Sequence, residues 1–64
     1  MNKQDAIKAI NDGAKMIYSS PITGMSALAW INNQPVRIST AREFMRSILV
    51  MEKKSGSVST WTKK

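Results

Sequence analysis

The segment that most constrains this chain runs from Val36 to Lys53. Thr40 followed three residues later by Glu43 has the form of a capping box. In such a box the hydroxyl accepts a free N–H at a helix start and the carboxylate reaches back to the cap N–H. At about 100° per residue, Ala41, Phe44, Met45, Ile48, Leu49 and Met51 fall on one arc. Ser39, Arg42, Glu43, Arg46, Ser47, Lys53 and Lys54 fall on the opposite arc, with Val50 as its one apolar member. The spacing predicts a helix over residues 39–53 with one face for a core and one cationic face.

A chain of 64 residues makes one small domain, which buries only about 60% of its unfolded surface and has a marginal core. No cysteine is present to reinforce it by a disulfide or a zinc site. Histidine is absent too, and the only carboxylate side chains are Asp5, Asp12, Glu43 and Glu52. With so few acid, base and ligand groups, neither catalysis nor a metal or cofactor is expected. No apolar run reaches about 18 residues, so no membrane span is expected. Met1-Asn2-Lys3-Gln4-Asp5 lacks the apolar core of a signal peptide. The expectation is a cytoplasmic protein.

The net charge of +6 is unevenly placed. Residues 1–32 carry three basic and two acidic side chains, whereas residues 33–64 carry seven basic and two acidic. A polyanionic partner accounts for that asymmetry; the simpler alternative is charge that keeps copies apart in solution.

In chain order, Asn2 to Asp12 reads as a helix, with Asn2 as its cap, Asp5 in its first turn and Gly13 as its stop. Ala6, Ile7, Ile10 and Ala14 face inward in this reading. Residues 15–19 read as a short strand. Ser20 to Asn33 has two readings. As a helix over 21–32, it starts on Pro21 and turns Ile22, Met25, Leu28, Ala29 and Ile31 inward. As a hairpin over 25–38, it turns at Asn32-Asn33. The helix is the primary expectation, because Ala27 to Ile31 is an apolar run without clear alternation. After residue 53 comes a basic turn, Lys53-Lys54-Ser55-Gly56-Ser57, and then the alternating Val58-Ser59-Thr60-Trp61-Thr62.

Ala27-Leu28-Ala29 followed by Ser39-Thr40-Ala41-Arg42-Glu43-Phe44-Met45 resembles the helix pair of bacterial winged helix-turn-helix regulators. The stretch from Lys53 through Thr62 is similar to their wing and its return strand. This resemblance implies an α+β fold: a single domain over 1–64 with helix 2–12, strand 15–19, helix 21–32, recognition helix 39–53 and wing 54–62. The alternative fold, with the hairpin, is α-β-β-β-α-β.

The resemblance also implies a bacterial or phage regulator of transcription or recombination that reads the major groove of double-stranded DNA. Arg42 and Arg46, one turn apart, would contact bases or clamp phosphates. Ser39 and Ser47 would add short polar contacts, while Arg37, Lys53 and Lys54 would lie against the backbone. A homodimer is expected to strengthen the grip, with Met16, Met25 or Val50 as apolar contacts. The rival function is a phage-encoded inhibitor of a host or defence protein. It would bind an acidic protein partner through Trp30, Trp61 and the arginines. RNA binding ranks below both, because a sheet-borne aromatic platform is hard to build from these residues.

Overall fold

Asn2 opens the first helix, α1 (Lys3–Asn11), as expected: its side-chain oxygen accepts the Asp5 N–H at 2.8 Å. The computed structural model describes residues 1–20 and 26–64. Among those residues, five strands follow in two groups around a second helix. These are β1 (Met16–Ser19), β2 (Leu28–Ile31), β3 (Gln34–Val36), α2 (Ile38–Ser47), β4 (Leu49–Ser55) and β5 (Val58–Lys63). The strands form one antiparallel sheet in the order β3-β2-β1-β5-β4. The fold is α+β, α-β-β-β-α-β-β in chain order.

Both helices lie against one face of the sheet, and the core is the layer between. Ala6 and Ile10 enter it from α1, and Ala41 and Phe44 from α2. Met16, Ala29, Ile31, Val36 and Leu49 meet them from the sheet side. Phe44, Ile10, Met16, Ile31 and Leu49 are the largest fully buried side chains. Ile7, Ala14, Tyr18, Met45, Ile48 and Trp61 pack around this cluster.

Two expected elements are corrected. The helix expected over 21–32 gives way to strand β2 over Leu28–Ile31; residues 21–25 of that expectation lie outside the described residues. Asn32 and Asn33 both adopt left-handed backbone, with φ of 53° and 63°. This is the two-residue type I′ turn that joins twisted strands without splaying them. The hairpin alternative is therefore the arrangement seen, over residues 28–36. The run from Leu28 to Ile31 lacks alternation because the strand is apolar on both sides. Ala29 and Ile31 enter the core, and Leu28 and Trp30 cover the opposite face.

The helix expected over 39–53 stops at Ser47, and Leu49–Ser55 is strand β4. A continued helix would have set Val50 among the charges; as a strand, the segment drops Leu49 into the core and pairs Val50 with Thr62. The capping box does not form either. Arg37 is the N-cap of α2 and makes no side-chain cap bond, and Thr40 sits inside the first turn. The wing, expected over 54–62, is the longer hairpin β4–β5, closed by Gly56-Ser57 with Gly56 at φ 60°.

The edges of the sheet resist strand addition. β3 has three residues and includes Pro35, which has no N–H to offer. β4 carries a register shift between Met51 and Lys53, and Lys53 and Lys54 follow it.

The Asn32-Asn33 turn yields a direct prediction. Asn33→Gly should raise the melting temperature by a few degrees, since glycine adopts left-handed backbone without strain. Asn33→Val should lower stability by about 1–2 kcal/mol, the cost of that conformation for a branched side chain. Thermal denaturation followed by circular dichroism checks both.

Candidate nucleic-acid interface

α2 is built to show a cationic stripe. Its ten residues span about 15 Å. Ala41 and Phe44 are buried, and Ile38, Met45 and Ile48 half-buried, so one side is committed to the core. Ser39, Arg42 and Arg46 recur at i, i+3 and i+7 and are all exposed on the opposite side. Residues at this spacing lie one above another on a helix.

What surrounds the stripe matters more than the stripe itself. Glu43 stands beside it on the helix and is a natural local partner for Arg46. Its carboxylate instead accepts from Lys3 Nζ of α1 at 2.9 Å. Glu52, the other acidic residue of the second half, accepts from Lys15 Nζ at 2.7 Å. The N-terminal half thus supplies the lysines that neutralise both carboxylates. Among the described residues, Arg37, Arg42, Arg46, Lys53, Lys54, Lys63 and Lys64 make no salt bridge. Both pairs are about half exposed, and each is worth roughly 0–1 kcal/mol to stability. Their larger effect is on the field around α2.

At its N-terminal end α2 has no side-chain cap, and Arg37, Thr40, Lys3, Asn2 and Met1 line a shallow cavity there. Ser47 Oγ donates to the Glu43 carbonyl at 2.7 Å, so its hydroxyl proton is engaged by its own helix.

The expected site residues do not all share a surface. Lys54 pairs with Ser59 in the register of β4–β5 and stands on the helix-bearing face. Lys53 pairs with Thr60 and points to the opposite face, away from the Arg42–Arg46 stripe. The set that α2 and its hairpin bring to one side is Arg37, Ser39, Arg42, Arg46 and Lys54. The expectation that Lys53 and Lys54 act together in a turn is thereby corrected.

Between α2 and the hairpin lies a groove of about 440 Å³. Tyr18, Met45, Met51 and Trp61 form its apolar floor, with Lys54, Ser20, Ser57 and Ser59 around them. The Trp61 Nε1–H donates to Ser59 Oγ at 2.8 Å, and Ser59 Oγ donates to the Tyr18 carbonyl at 3.4 Å. Trp61 belongs to this face, whereas Trp30, paired with Ile17, belongs to the other. The two tryptophans cannot anchor one partner surface together. Met16, expected among the apolar contacts of a dimer, is fully buried; Val50 is exposed; Met25 lies outside the described residues.

Sequence reasoning missed the uncovered face of the sheet, which carries Ile17, Leu28, Trp30 and Val58. Its signal was the apolar run Ala27 to Ile31, whose missing alternation marks a strand apolar on both sides.

Among the described residues, no helix is long and apolar enough to cross a membrane. Compared with known proteins, the chain matches no family model, no curated protein and no solved structure.

Proposed function

We propose that this chain is a small DNA-binding protein, a regulator of the bacterial or phage type, that reads duplex DNA with α2 and braces it with the β4–β5 hairpin. The observation that carries the reading is the removal of Glu43 by Lys3. It leaves Arg42 and Arg46 on an exposed helix face with no acidic partner. A solvated helix face would more simply keep the Glu43–Arg46 contact within the helix.

The major groove admits an α-helix, and side chains of its first turns reach base edges. Ser39 and Arg42 occupy those turns. Arg46 lies one turn further on, in position for a second base or a phosphate. Arg37 and the uncapped N–H groups of α2 favour a phosphate oxygen at the helix start. Lys54, across the groove from Met45, would meet the backbone on the other side. Position supports this assignment: Ile48 alone joins α2 to β4, and Met45 of α2 lines one groove with Met51, Lys54 and Trp61 of the hairpin, so helix and hairpin stand side by side. Where the winged resemblance implies a second helix ahead of α2, this chain has the β2–β3 hairpin over residues 28–36. Contacts made by such a helix fall instead to Arg37 and Lys54.

The test is a fluorescence-anisotropy titration against random duplex at several salt concentrations. Arg37, Arg42, Arg46 and Lys54 neutralising four phosphates gives a slope of log affinity against log salt of roughly −3.6. Binding that is absent at low salt, or flat with salt, would sink the proposal. A flat response together with tight capture of one acidic protein would favour the inhibitor reading.

A further inference from the structure

Among the described residues, four of the five large exposed apolar side chains lie on the sheet face that the helices leave uncovered. Leu28 is 53% exposed, Val50 47%, and Ile17 and Val58 41% each. The ladder registers place Leu28, Ile17 and Val58 together, while Val50, paired with Thr62, lies apart on the edge strand. Leu28, Ser19 and Val58 form one cross-strand row, and Pro35, Trp30, Ile17 and Thr60 form the next. Leu28, Trp30, Ile17, Pro35 and Val58 thus make a continuous patch centred on β1 and β2. Single exposed apolar residues are ordinary, but a contiguous apolar patch on a flat sheet is a contact surface.

We infer that this face is the contact between two copies of the chain, packed sheet on sheet with the helices outside. Charge selects the occupant. The protein carries +6, and its unopposed cations on the helix side would draw nucleic acid or an acidic protein there. The uncovered face holds Lys15, Glu52 and Lys53, and two of these three are tied to each other at 2.7 Å. Among the described residues, its apolar half on β1, β2 and β3 carries no charged side chain. Two cationic copies approach with least repulsion through this face. The edges offer no other route, because Pro35 and the β4 register shift with its lysines obstruct strand addition. Aligned sheets pack about 10 Å apart through interdigitating side chains.

Area sets the strength. Four strands at about 4.8 Å spacing and four residues at about 3.4 Å rise give a patch of about 20 by 14 Å per copy. Two such patches bury less than the roughly 1,200 Å² of a stable interface. The dimer is therefore weak and concentration-dependent. A consequence that rests on the duplex-binding reading is that the two α2 stripes face in opposite directions, so the dimer bridges two duplexes.

Sedimentation velocity without DNA tests the inference. The mass should rise from the 7.1 kDa of one chain toward twice that value as concentration climbs into the hundred-micromolar range. Leu28→Glu/Val58→Glu should stay monomeric throughout with an unchanged circular dichroism spectrum, and Met51→Ala, on the other face, should dimerise as wild type does. If the double variant unfolds, Ile17→Ser takes its place. A wild type that stays monomeric at millimolar concentration overturns the inference, as does a folded variant that associates normally. Capture of a second labelled duplex by bead-bound duplex reads the bridging. A folded Leu28→Glu/Val58→Glu chain that keeps single-duplex affinity should lose that capture. If it retains capture, the sheet face is not what bridges; if wild type binds no duplex, only the function reading falls.

Discussion

Phe44→Ala should remove a large part of the chain's stability and lower its melting temperature by tens of degrees. Phe44 is 2% exposed and is the largest side chain in the cluster that joins α2 to the sheet. Truncating a buried phenylalanine costs about 3–5 kcal/mol, the sum of lost transfer energy and the cavity left behind. A chain of 64 residues has a total stability of only about 3–10 kcal/mol by the usual range per residue. One substitution thus removes a large part of it, and the melting temperature should fall by tens of degrees. Chemical denaturation followed by circular dichroism measures the effect. Val50→Ala, on the uncovered face, is the control and should shift stability by under about 1 kcal/mol. A Phe44→Ala chain that melts like wild type would show that the core does not hold α2 in place.

Arg42→Ala/Arg46→Ala should abolish most duplex affinity while leaving the fold intact. Both side chains are exposed and outside the salt bridges of the structure, so their removal costs little stability. Each arginine that contacts a base or phosphate contributes about 1–3 kcal/mol to binding. The pair together should therefore account for roughly a 30-fold to 20,000-fold loss. The salt slope should also flatten by about 1.8, because two fewer counterions are released. Flattening separates a lost contact from a general loss of folded protein, which would lower the amplitude and keep the slope. A double variant that binds like wild type would remove α2 from the interface.

Much of α1, β1 and the C-terminal hairpin was legible in the residues. The Asn2 cap, the inward Ala6 and Ile10, and the alternation of Val58 to Thr62 are local signals, and each survives in the fold. The limits of α2 were not legible. Leu49 and Met51 fit a helical arc as well as a strand, and tertiary pairing with β5 decided between them. Thr40 and Glu43 had the spacing of a capping box. Spacing alone does not show that Lys3, forty positions earlier in the chain, takes the carboxylate.

The segment from Leu28 to Ile31 was ambiguous for a different reason. Alternation reveals a strand only when one face is wet and the other buried, and here both are apolar. The left-handed Asn32-Asn33 pair was the more reliable guide, since the turn it makes is fixed by two adjacent residues. Of the candidate contact residues, the sequence grouped Arg42 with Arg46 correctly by helical spacing. It could not separate Lys53 from Lys54, because that depends on the register of β4 against β5.

Because β5 lies between β1 and β4, the sheet joins residues that are far apart in the chain: Met16 with Trp61, and Ser19 with Val58. Three strands can form early, as β1 with the β2–β3 hairpin, but within the sheet they reach β4 only through β5. A chain lacking residues 58–63 would therefore lose the strand that joins the two parts of the sheet, leaving only α2 between them. Pairings of such separation require the loop-closure entropy to be spent before any contact returns it. Folding should be slow for so short a chain, and its rate-limiting step should be the insertion of β5. Substitutions along Ser59 to Trp61 should then slow refolding, whereas changes in the β2–β3 turn should chiefly alter unfolding.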